Sequence, residues 1–412
     1  MEGGDQVNVA IVLMKYNPFG GYERQAAILA RALAKRGDRV TIVAGSFEGA
    51  PEEGMEVIKA PVIRLSSWLK VLSFALSSRS VISRRPGGFD IVIAFDRTLV
   101  ADIYRAGNAC HREWLAFRSA HFGLRDRLSI LINPLHAVVN GLEKRLLRNL
   151  RERGGRIVVL SDRGRDEICR HHGLERDLFT VIPPAVDLDR IGFSAAEAGK
   201  GPARKALGIP NQIPVILHVG SGFRIKGLES TIKALAALKR DGREALLIAA
   251  GKDRSGTKRL GSLARSLGVS GNIVFPGGVK EVGALYDASD VFVLPSLFET
   301  FGTAAIEALA AGLPVVIGRG AGAASFIEKE RAGKVIQTPA DPDELAGLIQ
   351  EALSTDCTLR RIGGLARERA RRREAALKCS AQEVTAVFAS LMDEIALSRR
   401  TLNEASLQAG LA

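Results

Sequence analysis

Two carboxylates, Glu299 and Glu307, bracket the start of an apolar segment that reads Pro295-Ser296-Leu297-Phe298-Glu299-Thr300-Phe301-Gly302-Thr303-Ala304-Ala305-Ile306-Glu307-Ala308-Leu309-Ala310-Ala311-Gly312-Leu313-Pro314-Val315-Val316. A β-branched run precedes it, so the pattern predicts a strand, a loop carrying Glu299, and a helix opening at Gly302 with Glu307 just over one turn inside. Both acids can then face one cleft. The amides of Phe301, Gly302, Thr303 and Ala304 are the unpaired donors of a helix start, suited to a phosphate, and Thr300 lies in the same turn. A solvated helix would make Glu307 an ordinary surface acid, yet Ile306, Ala308, Leu309 and Ala310 around it predict a mostly buried one.

A second loop, Val219-Gly220-Ser221-Gly222-Phe223-Arg224-Ile225-Lys226-Gly227, again joins a strand to a helix start. Arg224 and Lys226 can neutralise a diphosphate leaving group while loop amides hold its oxygens. A dinucleotide fingerprint needs a differently placed third glycine and an acid after the next strand, which instead ends Ala250-Gly251-Lys252, so no NAD site is expected. In the first half, Lys15-Tyr16-Asn17-Pro18-Phe19-Gly20-Gly21 runs from a strand into a helix, and Gly20 and Gly21 either open its amides to an anion or serve tight packing. Two Asp-x-Asp matches, Asp187-Leu188-Asp189 and Asp341-Pro342-Asp343, read as a turn and a helix N-cap rather than metal ligands. His111, His121, His171 and His172 are scattered, and no metal site is expected.

The elements that must position these residues alternate along the whole chain, short apolar runs with amphipathic stretches, which is the α/β pattern of parallel sheets with helical crossovers. Strands are predicted at 7–14, 39–44, 55–60, 90–95, 156–161 and 180–183, with a helix at 22–36. A second set falls at 215–220, 245–250, 273–276, 291–294 and 315–318, with helices starting near Gly227, Thr257, Glu281 and Gly302. The polar stretch 192–205 interrupts the pattern and is the expected linker and hinge. The expected domains are therefore 1–190 and 206–375, followed by a helical tail over 376–412 whose last ten or so residues are loose. A chain of 412 residues with 46% apolar content can bury two such cores.

Cys110, Cys169, Cys357 and Cys379 lie far apart, as suits incidental thiols in a reducing cytoplasm. The opening residues lack the pattern of an export signal, and no stretch reaches the apolar length of a membrane span. Net charge is +13, and residues 61–160 hold 17 Lys/Arg against 7 Asp/Glu. Two apolar-basic segments, 67–85 and 118–156, carry much of this excess, so an anionic membrane surface is one expected partner; core-packing helices with solvated arginines are the alternative. Nucleic acid is not expected, since zinc spacing and aromatic-basic interleaving are both missing.

The E-x7-E spacing followed by Ala308-Leu309-Ala310-Ala311-Gly312-Leu313-Pro314-Val315-Val316 resembles the retaining glycosyltransferases of the GT-B fold, specifically family 4. Ile182-Pro183-Pro184-Ala185-Val186-Asp187 and the segments 268–277 and 286–296 add to the resemblance, which spans nearly the whole chain. Within the family, KYNPFGGYERQ and DIYRAGNACHREW are most similar to the heptose-directed lipopolysaccharide core glucosyltransferases. The resemblance implies two Rossmann-like domains with the cleft between them, an acceptor in the first and a nucleotide sugar in the second. It implies that Glu307 binds the ribose, Glu299 the donor sugar, and Lys226 with Arg224 the leaving diphosphate. Arg190, Gly20, Gly21 and Gln25 fall on the donor side, Asn108 and His111 on the acceptor side. Departures are Ile225 between the two cations, Gln25 and Asn108 where those relatives have Asp, and Ala185 in place of Gly. The implied activity is metal-independent transfer of a hexose, glucose first, from a UDP-sugar to a lipid-linked or lipopolysaccharide-core sugar at the inner face of the cytoplasmic membrane. Another cell-surface glycan is the alternative acceptor. A phosphorylase or epimerase of the same fold, or a non-enzymatic nucleotide-sugar binder, are rival readings.

Overall fold

The computed structural model describes residues 6–17, 21–48, 54–188, 200–339, 341–361 and 364–409. It forms two compact units: Met1–Ala185 with Ala381–Ala412, and Val186–Ser380. Gly20, Arg190 and Asp189 lie outside the described residues.

The first unit is built on strands β1 (Asn8–Tyr16), β2 (Arg39–Phe47), β3 (Met55–Lys59), β4 (Ile91–Ala94), β5 (Ile103–Ala106), β6 (Arg156–Val159) and β7 (Phe179–Val181). They pair in parallel in the order β3-β2-β1-β4-β5-β6-β7. A sheet covered on both faces needs apolar residues on both, which is why β1 reads as an unbroken run. Val9, Ile11 and Leu13 join the core under the helix Gly21–Arg36, while Ala10 and Val12 join Phe74 and Ile82 of the helix Ser67–Ser83 on the opposite face.

The segment 376–412 is not a tail set apart, as the sequence suggests. Its helix Ala381–Ala409 places Val384, Phe388, Leu391, Met392 and Ile395 at helical spacing into the same core as Ala26, Ala27, Ala30 and Leu33. Arg36 bonds Asp393 at 3.1 Å across that contact. The helical backbone continues to Ala409, past the point where a loose end is expected.

The second unit carries β8 (Val215–Val219), β9 (Leu246–Ala250), β10 (Ile273–Gly277), β11 (Val291–Leu294), β12 (Val315–Gly318) and β13 (Gly333–Ile336), again parallel, in the order β10-β9-β8-β11-β12-β13. The order reverses between β8 and β11, and ligands of open α/β sheets bind where loops diverge at such a switch. The loops leaving those two strands are the ones with Arg224, Lys226 and Glu299. Only part of the expected linker is described, and that part is structured: the helix Gly201–Ala206 is held by Lys200 and Arg204, each 2.5 Å from the Asp290 carboxylate. A buried arginine paired with a carboxylate of another element is fixed in a fold rather than free to flex, and residues 200–206 belong to the second unit.

Phe388 is 1% exposed and its neighbour Val387 45% exposed, so the two report on this helix separately. Phe388→Ala should lower stability in urea unfolding by about 3–5 kcal/mol. Val387→Ala should stay within about 0.5 kcal/mol, and equal effects would mean the helix is not part of the core.

Candidate active site

The phosphate-type loop starts at the carboxyl end of β8. Phe223, buried at its centre, anchors it, and the Phe223 amide bonds Asp253 at 3.0 Å. Gly227 closes the loop in the left-handed region at φ 74°, and a Cβ there would stand 2.1 Å from the Pro295 carbonyl oxygen. The loop is thus pressed against the exit of β11, and Leu297 N donates to Ile225 O at 2.9 Å. This approach brings the Lys226 ammonium into a direct hydrogen-bonded ion pair with the Glu299 carboxylate, both about one-fifth exposed. Arg224 is exposed on the same loop, two places from Lys226, with half-buried Ile225 between them. His218, fully buried at the end of β8, is pushed down to about 3 by burial and then by the charge of Lys226, so it stays neutral beneath the loop.

Glu299 is fixed through its backbone, its N–H donating to Gly320 O at 2.9 Å and its carbonyl accepting from Gly322 N at 3.1 Å. The helix that follows is Thr303–Ala310, with Gly302 as its N-cap at φ 100°. Ala305, Ile306, Ala308, Leu309 and Ala310 are buried, as expected, and Glu307 is half-buried. Thr300 and buried Phe301 lie in the turn before it, while Thr303 and Ala304 begin its first turn, where amides lack intrahelical partners.

Glu307 has a partner that the sequence reading gives no role. Tyr286, fully buried on the helix Gly283–Ala288, places its hydroxyl 2.7 Å from Glu307 Oε2 and 3.2 Å from the Ala304 carbonyl. One proton cannot serve both, and the charged acceptor at shorter distance is the stronger. A tyrosine directly after Ala284 and Leu285 in this short helix was the available signal, because a buried hydroxyl needs a partner.

In the first unit the Asn108–His111 turn is held from one side. Glu143, on the helix Pro134–Glu152, accepts from Arg97 at 2.6 Å, the His111 amide and His172 at 3.2 Å each, and the Cys110 thiol at 3.6 Å. Burial alone would raise its pKa; the His172 hydrogen bond and the Arg97 charge prevail and hold it at about 2. Burial and then Glu143 push the Cys110 thiol up to about 12. Among the described residues, Cys110, Glu143 and His172 form a group with ligand atoms within 4.8 Å of one another, with Arg97 already on the carboxylate. Asn108 is exposed. His111 bonds His136 at 3.1 Å, and burial followed by Arg97 lowers it to about 4, so it is a neutral hydrogen-bonding group.

The Gln25 amide clasps the Ala185 backbone, accepting from the N–H at 2.6 Å and donating to the carbonyl at 2.8 Å. Gly21 is the first residue of its helix. Asp341 caps the helix Pro342–Arg361, accepting from Asp343 N at 2.9 Å and Glu344 N at 3.2 Å.

Comparison with known proteins identifies the family and the fold. Residues 19–190 match the family model described as Glycosyltransferase Family 4, and residues 200–369 that described as Glycosyl transferases group 1. Together these cover most of the chain, which belongs to the family 4 glycosyltransferases and has their two-domain GT-B fold. Within that class it is related to the lipopolysaccharide glucosyltransferase WaaG of Escherichia coli K12, with 28% identity over 347 residues, 84% of this chain and 89% of that protein. A crystal structure of WaaG, described as involved in lipopolysaccharide biosynthesis, superposes with a TM-score of 0.72 at 27% identity, covering 94% of this chain and 98% of the other. Anabaena HepE, crystallised with UDP and glucose, shares the fold at a TM-score of 0.66 and 17% identity, covering 94% of this chain and 100% of HepE.

The contact of the two loops can be tested with paired glycine substitutions. Gly208 has φ 67° and nothing within 4 Å of its missing Cβ, so Gly208→Ala should cost about 1 kcal/mol, the left-handed backbone alone. Gly227→Ala adds the clash with Pro295 and should cost roughly 2 kcal/mol more in denaturant unfolding. Equal costs would mean that the loops do not touch as described.

Proposed function

We propose that this glycosyltransferase moves a hexose, glucose first among candidates, from a UDP-sugar to a heptose or other sugar of the lipopolysaccharide core, with retention of anomeric configuration. The observation that carries the reading is the pairing of Lys226 with Glu299 beside a helix start whose Glu307 is anchored by Tyr286. The relationship to WaaG supports the acceptor class, and the UDP and glucose bound in HepE support the donor class.

Lys226 and Glu299 neutralise each other, so donor binding exchanges one anionic partner of the lysine for another. The diphosphate takes the ammonium, with Arg224 joining from the solvent side and the first-turn amides of Thr303–Ala310 at its oxygens. Glu299, released, turns to the hydroxyls of the sugar. As the bond from the anomeric carbon to the diphosphate oxygen breaks, Lys226 and Arg224 stabilise the departing charge. The acceptor hydroxyl forms the new bond on the same face and passes its proton to the leaving phosphate oxygen. These two cations do here what a divalent ion does in metal-dependent transferases, so the reaction proceeds without one.

The membrane-facing surface in this reading is narrower than the two basic segments. The helices Ser67–Ser83 and Pro134–Glu152 bury their apolar sides in the first unit, which is the core-packing alternative. The short helix Leu124–Ile132 between them instead exposes Leu124, Leu128, Leu131 and Ile132 on one face beside exposed Arg125 and Arg127. No helix among the described residues is long and apolar enough to cross a membrane. Contact with the inner face of the cytoplasmic membrane through this helix suits a lipid-linked acceptor.

A panel of nucleotide sugars tests the donor: UDP-glucose should be slowly hydrolysed, and should raise the melting temperature most, with EDTA present. Preference for another base, or turnover lost in EDTA and restored by magnesium, would overturn the reading. The two carboxylates should fail differently. Glu307→Ala removes contacts common to ground and transition states and should weaken UDP by about 1–3 kcal/mol, with Tyr286→Phe shifting it the same way by less. Glu299→Gln should leave UDP binding unchanged or tighter, since Lys226 loses its competitor, while kcat falls by about two orders of magnitude. Calorimetry and initial rates decide, and full kcat in Glu299→Gln would refute the assignment.

Co-sedimentation should be strong with anionic vesicles and fade in high salt. The double substitution Leu128→Asp, Leu131→Asp should abolish it without lowering the melting temperature, because both side chains are exposed. Equal binding of the double variant would sink the proposed surface.

A further inference from the structure

Arg105 stands in β5 with 2% of its surface exposed, on the side of the sheet covered by the helix Gly21–Arg36. Two other fully buried arginines each have an acid: Arg204 meets Asp290 at 2.5 Å and Arg372 meets Asp356 at 2.8 Å. Arg105 has none among the described residues. Its guanidinium makes a 3.4 Å contact with Gln25 Oε1 and lies 5.3 Å from the centre of the Phe95 ring. The Gln25 oxygen is already the acceptor for Ala185 N at 2.6 Å. Burying a cation without a counter-charge is unfavourable, so such a group persists where something else neutralises it.

A second orphan lies beside it. The Tyr22 hydroxyl is buried with no hydrogen-bond partner, and the Tyr22 ring fills the space of the missing Gly107 side chain, where a Cβ would be 2.1 Å from Cε2 and 3.2 Å from Arg105 Nη1. Asp96, whose charge acts on Tyr22, gives one oxygen to Met14 N at 2.6 Å. Gly107 opens the turn that carries Asn108 and His111, so a guanidinium without a counter-charge and an unpaired hydroxyl lie beneath the loop at the carboxyl end of β5. Ligands of parallel sheets enter at that end. Gln25, an amide rather than an acid, leaves the positive charge standing.

We propose that Arg105 and Tyr22 form a subsite for an anionic group, a phosphate or carboxylate, carried by the acceptor. The inference rests on the reading that the first unit holds the acceptor. The guanidinium fork takes two oxygens of such a group side by side, and the phenol donates to a third or to one of the same pair.

The test uses the full chain with saturating UDP, which occupies the Lys226 loop and removes its own response to anions. Inorganic phosphate should then raise the melting temperature of the unsubstituted protein and not that of Arg105→Met. Arg105→Met itself should melt higher than the unsubstituted protein without phosphate, because an uncompensated charge has gone and Gln25 keeps its clasp on Ala185. Tyr22→Phe, which keeps the ring against Gly107, should lose part of the phosphate response; this second variant decides should Arg105→Met fail to fold. With a phosphorylated acceptor sugar, Arg105→Met should raise acceptor KM about tenfold or more with UDP affinity unchanged, and the unphosphorylated sugar should show no such change. A phosphate response that survives Arg105→Met, or is missing from the unsubstituted protein, overturns the subsite, as does a parallel loss of UDP affinity. If no acceptor is turned over at all, the phosphate response still judges the subsite while the acceptor reading fails on its own.

Discussion

The parallel pairing of Val291 and Phe292 in β11 with Ile216 and Leu217 in β8 is the constraint on which the meeting of Lys226 and Glu299 depends. Neighbouring strands run about 4.8 Å apart, so the loops leaving their carboxyl ends cannot avoid each other. A lysine on one and a glutamate on the other then meet without any element built for the purpose. The opposite end of the same pair is pinned as firmly. Asp290, one residue before β11, accepts from the Val215 amide at 2.7 Å and is neutralised by Lys200 and Arg204. A slip of one residue would turn every side chain of β11 to the wrong face and break that clamp, so register at the amino end fixes geometry at the carboxyl end.

Charge is handled differently in the two places where it matters. Lys226 and Glu299 are each about one-fifth exposed, a setting in which an ion pair contributes little to stability; its effect is to fix the position of two charged side chains at the exits of neighbouring strands. Glu143 is the opposite case. It is almost wholly buried, four donors surround it, and its ionised state locks the turn bearing Asn108 and His111. A group so fully satisfied is an organiser of the backbone rather than a participant in chemistry.

Much of this was legible in the sequence, and the misses share a cause. The loop-and-helix pattern around Glu299 and Glu307, the cationic loop, and the two sheets follow from runs of apolar residues and glycines, which are local signals. β5 was not expected, because Ile103-Tyr104-Arg105-Ala106 is four residues long with an arginine inside it; it is a strand by virtue of pairing with β4 and β6. β13 is likewise too short and too polar to announce itself before β12 offers it an edge. The partners of Gln25, of Tyr286 and of the stretch beginning at Lys200 went unread for the same reason. Those partners, Ala185, Glu307 and Asp290, are distant in the chain, and no spacing rule links them. The terminal helix was readable as a helix, while its destination was not.

That destination has a consequence for how the protein is made. The first unit is discontinuous: Ala381–Ala409 supplies Phe388, Met392 and their neighbours to a core whose other residues precede Ala185. During synthesis, domains ordinarily consolidate in the order in which they emerge from the ribosome. Here the earlier half must wait with the outer apolar side of the helix Gly21–Arg36 uncovered, while the whole of Val186–Ser380 is translated and has every residue it needs. The second unit is therefore the first to finish, and the nascent chain carries an exposed apolar side on the helix Gly21–Arg36 until the segment Ala381–Ala409 arrives. Maturation runs against the direction of translation, and the ribosome-bound intermediate, rather than the finished enzyme, is the form with most need of a chaperone.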